Sequence, residues 1–231
     1  MIGFYDYTVI LTYLSLISAS CGIMVALSGS GHPYIGTFFL LFCGLCDAFD
    51  GKVARTKKDR SQAACSFGVQ IDSLSDLVAF GVLPAAIGSA MLRWSTLLPL
   101  AYGTPWEKPL GVGVMAILIL YILAAMIRLA YYNVTEEERQ KTEGGVRKYY
   151  TGLPVTSSAL IFPLILLLQY VVPADVTPVY FATIVLCGIA FLSPFQIRKP
   201  GLRGVLILVG IGAVEFLLML ALLLLRKFLI F

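Results

Sequence analysis

The sequence predicts an all-α integral membrane protein, a polytopic bundle of about six to eight transmembrane helices. The chain is 59% hydrophobic and its mean hydropathy is +0.89. Only 13% of its residues are charged, whereas soluble domains have about 25%. The apolar residues form runs of about 20 residues, the length that a helix needs to cross the hydrocarbon core.

Seven apolar runs predict the individual spans. The first has no basic segment before it and no small-residue cleavage site after it, which predicts a retained span rather than a signal peptide. The last is long enough to be one kinked helix or a tight hairpin, so the number of spans stays open. No second domain is indicated, and residues 1–231 are interpreted as one membrane domain. The predicted spans lie near residues 8–28, 34–52, 69–91, 110–131, 154–173, 177–194 and 203–225.

The distribution of basic residues predicts the orientation. Most lysines and arginines lie in or beside the loops that follow spans two, four and six. Basic loops remain on the cytoplasmic side, so we expect a multi-pass protein of the cell membrane with its N-terminus inside. The longest predicted polar connector, Asn133–Tyr150, lies on this side as well.

Four aspartates mark the cytoplasmic ends of spans two and three. Asp47 and Asp50 are three residues apart, and Asp72 and Asp76 are four apart, so each pair shares one helix face. If the two helices are antiparallel neighbours, the pairs converge, and four ionised carboxylates would repel one another. Divalent cations relieve that repulsion, and oxygen-only ligands favour Mg²⁺ or Mn²⁺ over zinc. Four carboxylates suit two ions about 3.5–4 Å apart, an arrangement used in phosphoryl chemistry.

The residues around the aspartates indicate a phosphate-bearing ligand. Gly51 and Gly68 frame the loop between the two spans and would let a phosphate or nucleotide approach the backbone. Arg55 supplies a planar guanidinium suited to phosphate, and the small Ala54 beside it leaves room. The alternative is that the acidic residues are only charged helix ends. That reading is weak for aspartates inside an apolar span, where ionisable residues usually have a function.

These residues resemble the signature of the CDP-alcohol phosphatidyltransferase family, D-x-x-D-G-x-x-A-R followed by G-x-x-x-D-x-x-x-D. Asp47 to Arg55 and Gly68 to Asp76 match every fixed position. The spacer between the two halves is longer than is usual in the family. The resemblance therefore assigns no ligand role to Lys57, Lys58 or Arg60.

The resemblance implies a reaction and a role for each matching residue. A hydroxyl attacks the lipid-linked phosphate of a CDP-lipid and expels CMP. Asp47, Asp50 and Asp72 would hold two metal ions, Asp47 and Asp72 by bridging them. Asp76 would bind the second metal and act as the catalytic base. The resemblance also implies a homodimer. The expected CDP-lipid contacts are Gly51, Ala54, Arg55 and Gly68.

The first span is also expected to line the nucleotide site through a polar residue near its middle, as in this family. The candidates are Thr12, Ser15, Ser18 and Ser20, of which we favour Ser18. The alternative role for these hydroxyl residues is helix packing, which is common for serine in membrane helices.

Two further segments bear on the acceptor. "RLAYYN", Arg128 to Asn133, and "YYTGLPVTSS", Tyr149 to Ser158, resemble segments of the serine-using members of the family. The resemblance implies CDP-diacylglycerol and L-serine as substrates, although Tyr131 replaces the second arginine of the usual pattern. Arg128 could pair bidentately with a carboxylate, or it could be a snorkelling membrane anchor. Asn133 could accept a hydrogen bond from an ammonium. The predicted acceptor residues are Arg128, Asn133, Tyr149 and Thr151.

Other functions remain open at this stage. The acceptor could be glycerol 3-phosphate or inositol phosphate, but a phosphate-bearing acceptor would require more clustered basic residues. A cation transporter is less consistent, because transporters place ionisable groups near the midplane and these aspartates lie near one end. No nucleic-acid partner is expected. Glu215, inside the last span, receives no role.

Overall fold

The computed structural model describes residues 3–28, 33–95, 109–142, 149–172 and 174–229. These ranges contain seven apolar helical segments, which confirms the predicted all-α membrane architecture. Two of the seven, Val155–Gln169 and Thr177–Leu192, are shorter than a typical span. The five that are long and apolar enough to cross a membrane are Tyr7–Leu27, Pro33–Ala54, Gln62–Leu92, Leu110–Thr142 and Leu202–Leu225.

Within the described residues, the structure contains eight α-helices, one two-stranded ribbon, a π-helical segment and two short 3-10 helices. Strand β1 (Tyr149–Thr151) pairs antiparallel with β2 (Gln196–Arg198). The helices are α1 (Ile10–Leu27), α2 (Pro33–Ala54), α3 (Gln62–Asp76), α4 (Leu83–Leu92), α5 (Pro109–Thr142), α6 (Ser158–Val171), α7 (Thr177–Leu192) and α8 (Leu202–Leu229).

The third span is continuous but changes its helical pitch. Helix α3 begins at Gln62, ahead of the predicted start at residue 69, because the side chain of Ser61 caps it by accepting a hydrogen bond from the N–H of Ala64. A π-helical segment, Leu77–Val82, then joins α3 to α4. Such segments are rare and frequently lie at functional sites.

Helix α5 corrects one prediction. The connector was expected to begin at Asn133, but the helix continues to Thr142. Ion pairs one turn apart stabilise this polar extension, since Arg139 pairs with Glu136 and Lys141 with Glu137, both at 2.7 Å. The rest of the expected connector, residues 143–148, lies outside the described residues.

Small residues bring α1 close to α2. Ala19 and Ala26 are fully buried, and a Cβ on Gly22 would lie only 2.8 Å from Phe39 Cβ. Small residues are the usual means of close helix approach in membranes. The close packing holds α1 alongside α2, so the start of α1 meets the end of α2.

The ribbon ties together two connectors at one end of the bundle. Gly152 follows β1 and has a φ of 74°, and its N–H donates to the carbonyl of Phe195 at 2.7 Å. The next residue, Leu153, donates to the carbonyl of Ala190 at 3.0 Å. The segment before α6 is therefore fixed to the end of α7.

Helix α8 is a single continuous helix, so the alternative of a hairpin is not realised. Its Phe216 packs edge to face on Phe38 of α2, with ring centroids 5.1 Å apart. Glu215 is buried in the same part of the helix, and its Oε2 has no hydrogen-bond partner among the described residues.

Candidate active site

The four aspartates come together between α2 and α3. The carboxyl groups of Asp50 and Asp72 lie close enough to interact directly. Asp76 lies close enough to Asp47, Asp50 and Asp72 for direct electrostatic interaction. Asp50 and Asp76 are each only 8% exposed. The two predicted pairs therefore form one buried carboxyl cluster, which we call the aspartate cluster.

The aspartate cluster has no cationic partner among the described side chains, because none of the ion pairs between described residues includes it. Its oxygens also do not form a ready-made cage: within the described ranges, no group of three or more His, Cys, Asp or Glu residues has the arrangement of a metal site. The donor set nevertheless fits a hard divalent cation. Mg²⁺ is usually bound by one or two carboxylates together with waters and substrate phosphates, not by an all-protein cage.

Two features position Asp76. The hydroxyl of the preceding residue, Ser75, donates to the carbonyl of Thr12 at 3.2 Å, which fixes α3 to α1. The π-helical segment begins directly after Asp76, and it changes the direction in which the following side chains point. Asp76 is thus the last residue of regular helix before a widened turn.

The predicted phosphate-binding residues lie at the loop-facing ends of α2 and α3, on either side of the spacer that joins these helices. Arg55 is exposed and folds back over the end of α2, so that a Cβ on Gly51 would lie 3.3 Å from Arg55 Nη1. Ala54 is half-buried beside it. Gly68 lies one turn before Asp72 on α3. All four lie within a few residues of Asp50 or Asp72 along the chain, and their role in ligand binding stays a prediction.

In the first span, the favoured Ser18 has a hydrogen-bond partner, whereas the Ser15 hydroxyl has none among the described residues. Ser18 Oγ donates to the carbonyl of Phe39 at 3.1 Å, and the residue lines an apolar cavity of about 330 Å³ between α1 and α2. Ser15 is buried, and its hydroxyl has no hydrogen-bond partner among the described residues. The thiol of Cys43, one turn from Asp47, donates to the Ser15 carbonyl at 3.3 Å. Ser15 is therefore the better candidate for a ligand contact near the aspartate cluster.

The predicted acceptor residue Asn133 reaches the aspartate helix directly. Its Nδ2 donates to Ser73 Oγ at 2.7 Å, and Ser73 follows Asp72 on α3. Asn133 thus contacts the residue next to Asp72, and its side-chain carbonyl can accept a further hydrogen bond.

Arg128 lies at the depth of Asp76. The hydroxyl of Tyr121, earlier on α5, donates to the carbonyl of Phe80 at 2.7 Å. On α5, Arg128 lies between Tyr121 and Asn133. On the facing segment, Asp76 lies between the partners of these two residues, Phe80 and Ser73. Arg128 is 6% exposed, and its guanidinium lies 5.4 Å from the centre of the Tyr132 ring. Its burial within the protein favours a contact inside the bundle over a snorkelling anchor.

The structure favours Tyr150 over the predicted Tyr149. The ring centroids of Tyr132 and Tyr150 are 5.8 Å apart. The Tyr132 ring thus contacts Arg128 and also Tyr150. Tyr149 is 51% exposed. It shares its face of β1 with Thr151, because side chains alternate along a strand. Sequence alone could not make this choice, since both positions are tyrosine.

The sequence profile of the CDP-alcohol phosphatidyltransferase family matches residues 8–195 of the chain. This range includes the aspartate cluster and all the predicted site residues, and it ends before α8. No solved structure gave a significant match.

Curated relatives include proteins from all three domains of life. A CDP-diacylglycerol–serine O-phosphatidyltransferase of Saccharomyces cerevisiae is 35% identical over 138 residues, which are 58% of this chain and 43% of the yeast protein. An archaetidylserine synthase of Methanothermobacter thermautotrophicus is 33% identical, over 64% of this chain and 53% of that protein. A CDP-diacylglycerol–serine O-phosphatidyltransferase of Bacillus subtilis is 28% identical, over 78% of this chain and 83% of its own length. The matches thus span about half of the yeast and archaeal proteins and most of the Bacillus protein.

Proposed function

The chain belongs to the CDP-alcohol phosphatidyltransferase family, and we propose that it transfers a phosphatidyl group from CDP-diacylglycerol to the hydroxyl of L-serine. The serine oxygen bonds to the phosphorus that carries the lipid. The bond from that phosphorus to the bridging oxygen breaks, and CMP leaves with the electron pair. The serine proton passes to Asp76. The names of the yeast and Bacillus relatives support this reaction.

The observation that carries the choice of serine is the buried position of Arg128 at the depth of Asp76. A guanidinium can hold a carboxylate through two parallel hydrogen bonds. The side-chain carbonyl of Asn133 is available for the serine ammonium, because its amide nitrogen is bound to Ser73. Serine held at both ends in this way would present its hydroxyl to Asp76.

The aspartate cluster supplies the donor chemistry for Mg²⁺ or Mn²⁺. Asp47, Asp50, Asp72 and Asp76 would hold two such ions, with phosphate oxygens of the substrate completing the coordination. When bound, the ions neutralise the diphosphate and stabilise the departing CMP.

Asp76 is proposed as the general base. A positioned carboxylate typically contributes about 10²–10⁴-fold to the rate of such a proton transfer. Its position after regular helix, fixed to α1 through Ser75, supports a defined orientation toward the acceptor.

The CDP group is proposed to lie over the entrance formed by Gly51, Ala54, Arg55 and Gly68, with Ser15 beneath it. Arg55 pairs with a phosphate, and Gly51 permits close approach of that phosphate to α2. Basic residues concentrate at this end of the bundle, which supports a site at the cytoplasmic face of the cell membrane.

Two alternatives are less well supported. Glycerol 3-phosphate or inositol phosphate as the acceptor would keep the same chemistry, but each brings a phosphate where the acceptor side offers the single buried Arg128 among the described residues. A cation transporter would place its ionisable groups near the midplane, whereas the aspartate cluster lies beside Arg55 at one end of the bundle.

An acceptor screen tests the proposal. Purified protein with Mn²⁺ or Mg²⁺ and CDP-diacylglycerol is mixed with L-serine, glycerol 3-phosphate or inositol 1-phosphate, and released CMP is measured. We expect CMP release when L-serine is the acceptor and none with either of the other two acceptors. Release with glycerol 3-phosphate and none with serine would overturn the acceptor assignment but not the family chemistry.

A further inference from the structure

The spacer between the two halves of the signature holds an arginine that the signature does not include. Arg60 lies just before α3 and is half-buried. The residues before it, from Arg55 onward, connect it to the end of α2. The position of this spacer determines whether Arg60 can take part in ligand binding.

The N-terminal segment of the chain holds the spacer in place. Asp6 forms an ion pair with Lys57 at 3.1 Å, and the hydroxyls of Tyr7 and Thr56 share a hydrogen bond of 3.0 Å. Hydrogen bonds from Thr8, together with the Lys57 ammonium, lower the pKa of Asp6 to about 2, so this carboxylate is ionised at neutral pH.

An aromatic contact fixes the far end of the spacer. The rings of Phe4 and Phe67 lie 5.6 Å apart, and Phe67 directly precedes Gly68. The N-terminal segment therefore contacts the spacer beside both Arg55 and Gly68. A loop held at both ends loses less conformational freedom when a ligand binds to it.

Arg60 lies directly over the second glycine of the signature. A Cβ on Gly68 would be 2.9 Å from Arg60 Nη2, and the same nitrogen donates to the carbonyl of Ala64 at 3.0 Å. Arg60 Nε is buried and has no hydrogen-bond partner among the described residues. The guanidinium is thus held by one neutral acceptor and retains donors that are not used.

Arg55 directly follows α2, Arg60 precedes α3, and each guanidinium lies against a glycine of the signature. Arg55 lies over Gly51, which follows Asp50, and Arg60 lies over Gly68, one turn before Asp72. Since Asp50 and Asp72 interact directly, the two guanidiniums lie near the same carboxyl pair.

We propose that Arg60 is a second guanidinium for the diphosphate of the CDP-lipid, opposite Arg55; this inference rests on the proposed function. A diphosphate entering between the two glycines meets a guanidinium on each side. Arg60 exchanges its hydrogen bond to the uncharged carbonyl of Ala64 for one to an ionised phosphate oxygen, where donor and acceptor carry opposite charges. The planar fork of arginine suits this role better than a lysine ammonium.

The test measures binding of CDP to the purified protein with Mg²⁺, and the KM values for CDP-diacylglycerol and L-serine. We expect Arg60→Gln to raise the CDP Kd and the CDP-diacylglycerol KM about tenfold, with the serine KM unchanged. Lys58→Gln is the matched control, because Lys58 is an exposed cation of the same spacer and should leave all three values within about twofold. Thermal unfolding shows that each variant is folded.

Each outcome decides the inference. Wild-type CDP affinity in Arg60→Gln, or an equal loss in Lys58→Gln, overturns the role of Arg60 and leaves the proposed function intact. A wild-type protein that binds no CDP and releases no CMP with any acceptor overturns both. If Arg60→Gln does not fold, Arg60→Lys carries the test: the proposal requires weaker CDP binding than wild type, and wild-type affinity contradicts it.

Discussion

Asn133 on α5 donates its side-chain amide to the hydroxyl of Ser73 on α3 at 2.7 Å. This hydrogen bond joins the helix that carries the predicted acceptor residues to the helix that carries Asp72 and Asp76. It also orients the Asn133 side chain, because the amide nitrogen is engaged and the carbonyl oxygen faces elsewhere. Asn133 therefore lies beside the aspartate cluster.

The first prediction concerns this hydrogen bond. Asn133→Ala removes both the bond to Ser73 and the proposed acceptor for the serine ammonium, so the KM for L-serine should rise about tenfold while the KM for CDP-diacylglycerol stays constant. Steady-state CMP release measures both. Val134→Ala is the control, because the adjacent Val134 is 56% exposed. A rise in the CDP-diacylglycerol KM with no change for serine would contradict the assignment.

The second prediction separates two roles of Arg128. If it binds the serine carboxylate, Arg128→Lys loses bidentate geometry but keeps the charge, and the KM for L-serine should rise about tenfold. Arg139→Lys on the same helix, where the arginine pairs with Glu136, should leave that KM unchanged. Equal serine KM values for Arg128→Lys and wild type would show that Arg128 serves only the membrane or the fold.

The third prediction tests the proposed base. Asp76→Asn keeps the size of the side chain but cannot accept the serine proton, so single-turnover CMP release should fall by about 10²–10⁴-fold. Binding of CDP should be largely retained, since the amide still presents an oxygen to the site. An Asp76→Asn protein with wild-type turnover would remove Asp76 from the role of base.

The fourth prediction concerns Gly152, whose φ of 74° is unfavourable for other residues. A Cβ there would also lie 2.7 Å from the carbonyl oxygen of Phe191. Gly152→Ala should therefore cost about 1–3 kcal/mol of stability, seen as a lower thermal midpoint in detergent. Gly201→Ala, where a Cβ would meet no atom within 4 Å, should leave the midpoint unchanged. Equal midpoints for the two variants would contradict the requirement for glycine at position 152.

Local sequence pattern predicted the helical architecture and the aspartate pairs well. Spacings of three and four residues place Asp47 with Asp50, and Asp72 with Asp76, on common helix faces whatever the tertiary packing. Hydropathy located all seven apolar helices, because the apolar run is itself the requirement for spanning a membrane.

What depended on distant contacts could not be predicted. Tyr150 faces the acceptor side because β1 pairs with β2, a segment far along the chain. The choice of Ser15 over Ser18 depends on the carbonyl of Phe39, which lies on another helix. The extension of α5 beyond Asn133 has a local signal in its Glu–Arg and Glu–Lys spacings, but a polar segment after an apolar span is typical of a loop.

The central claim is that Asp47, Asp50, Asp72 and Asp76 together bind divalent cations beneath the phosphate entrance. An anomalous diffraction map from crystals grown with Mn²⁺ and CDP tests it most directly. We predict two manganese peaks, each enclosed by carboxylates of these four residues, and loss of at least one peak in Asp50→Asn. A map with no manganese at the aspartate cluster, or with the four carboxyl groups turned away from one another, would contradict the claim.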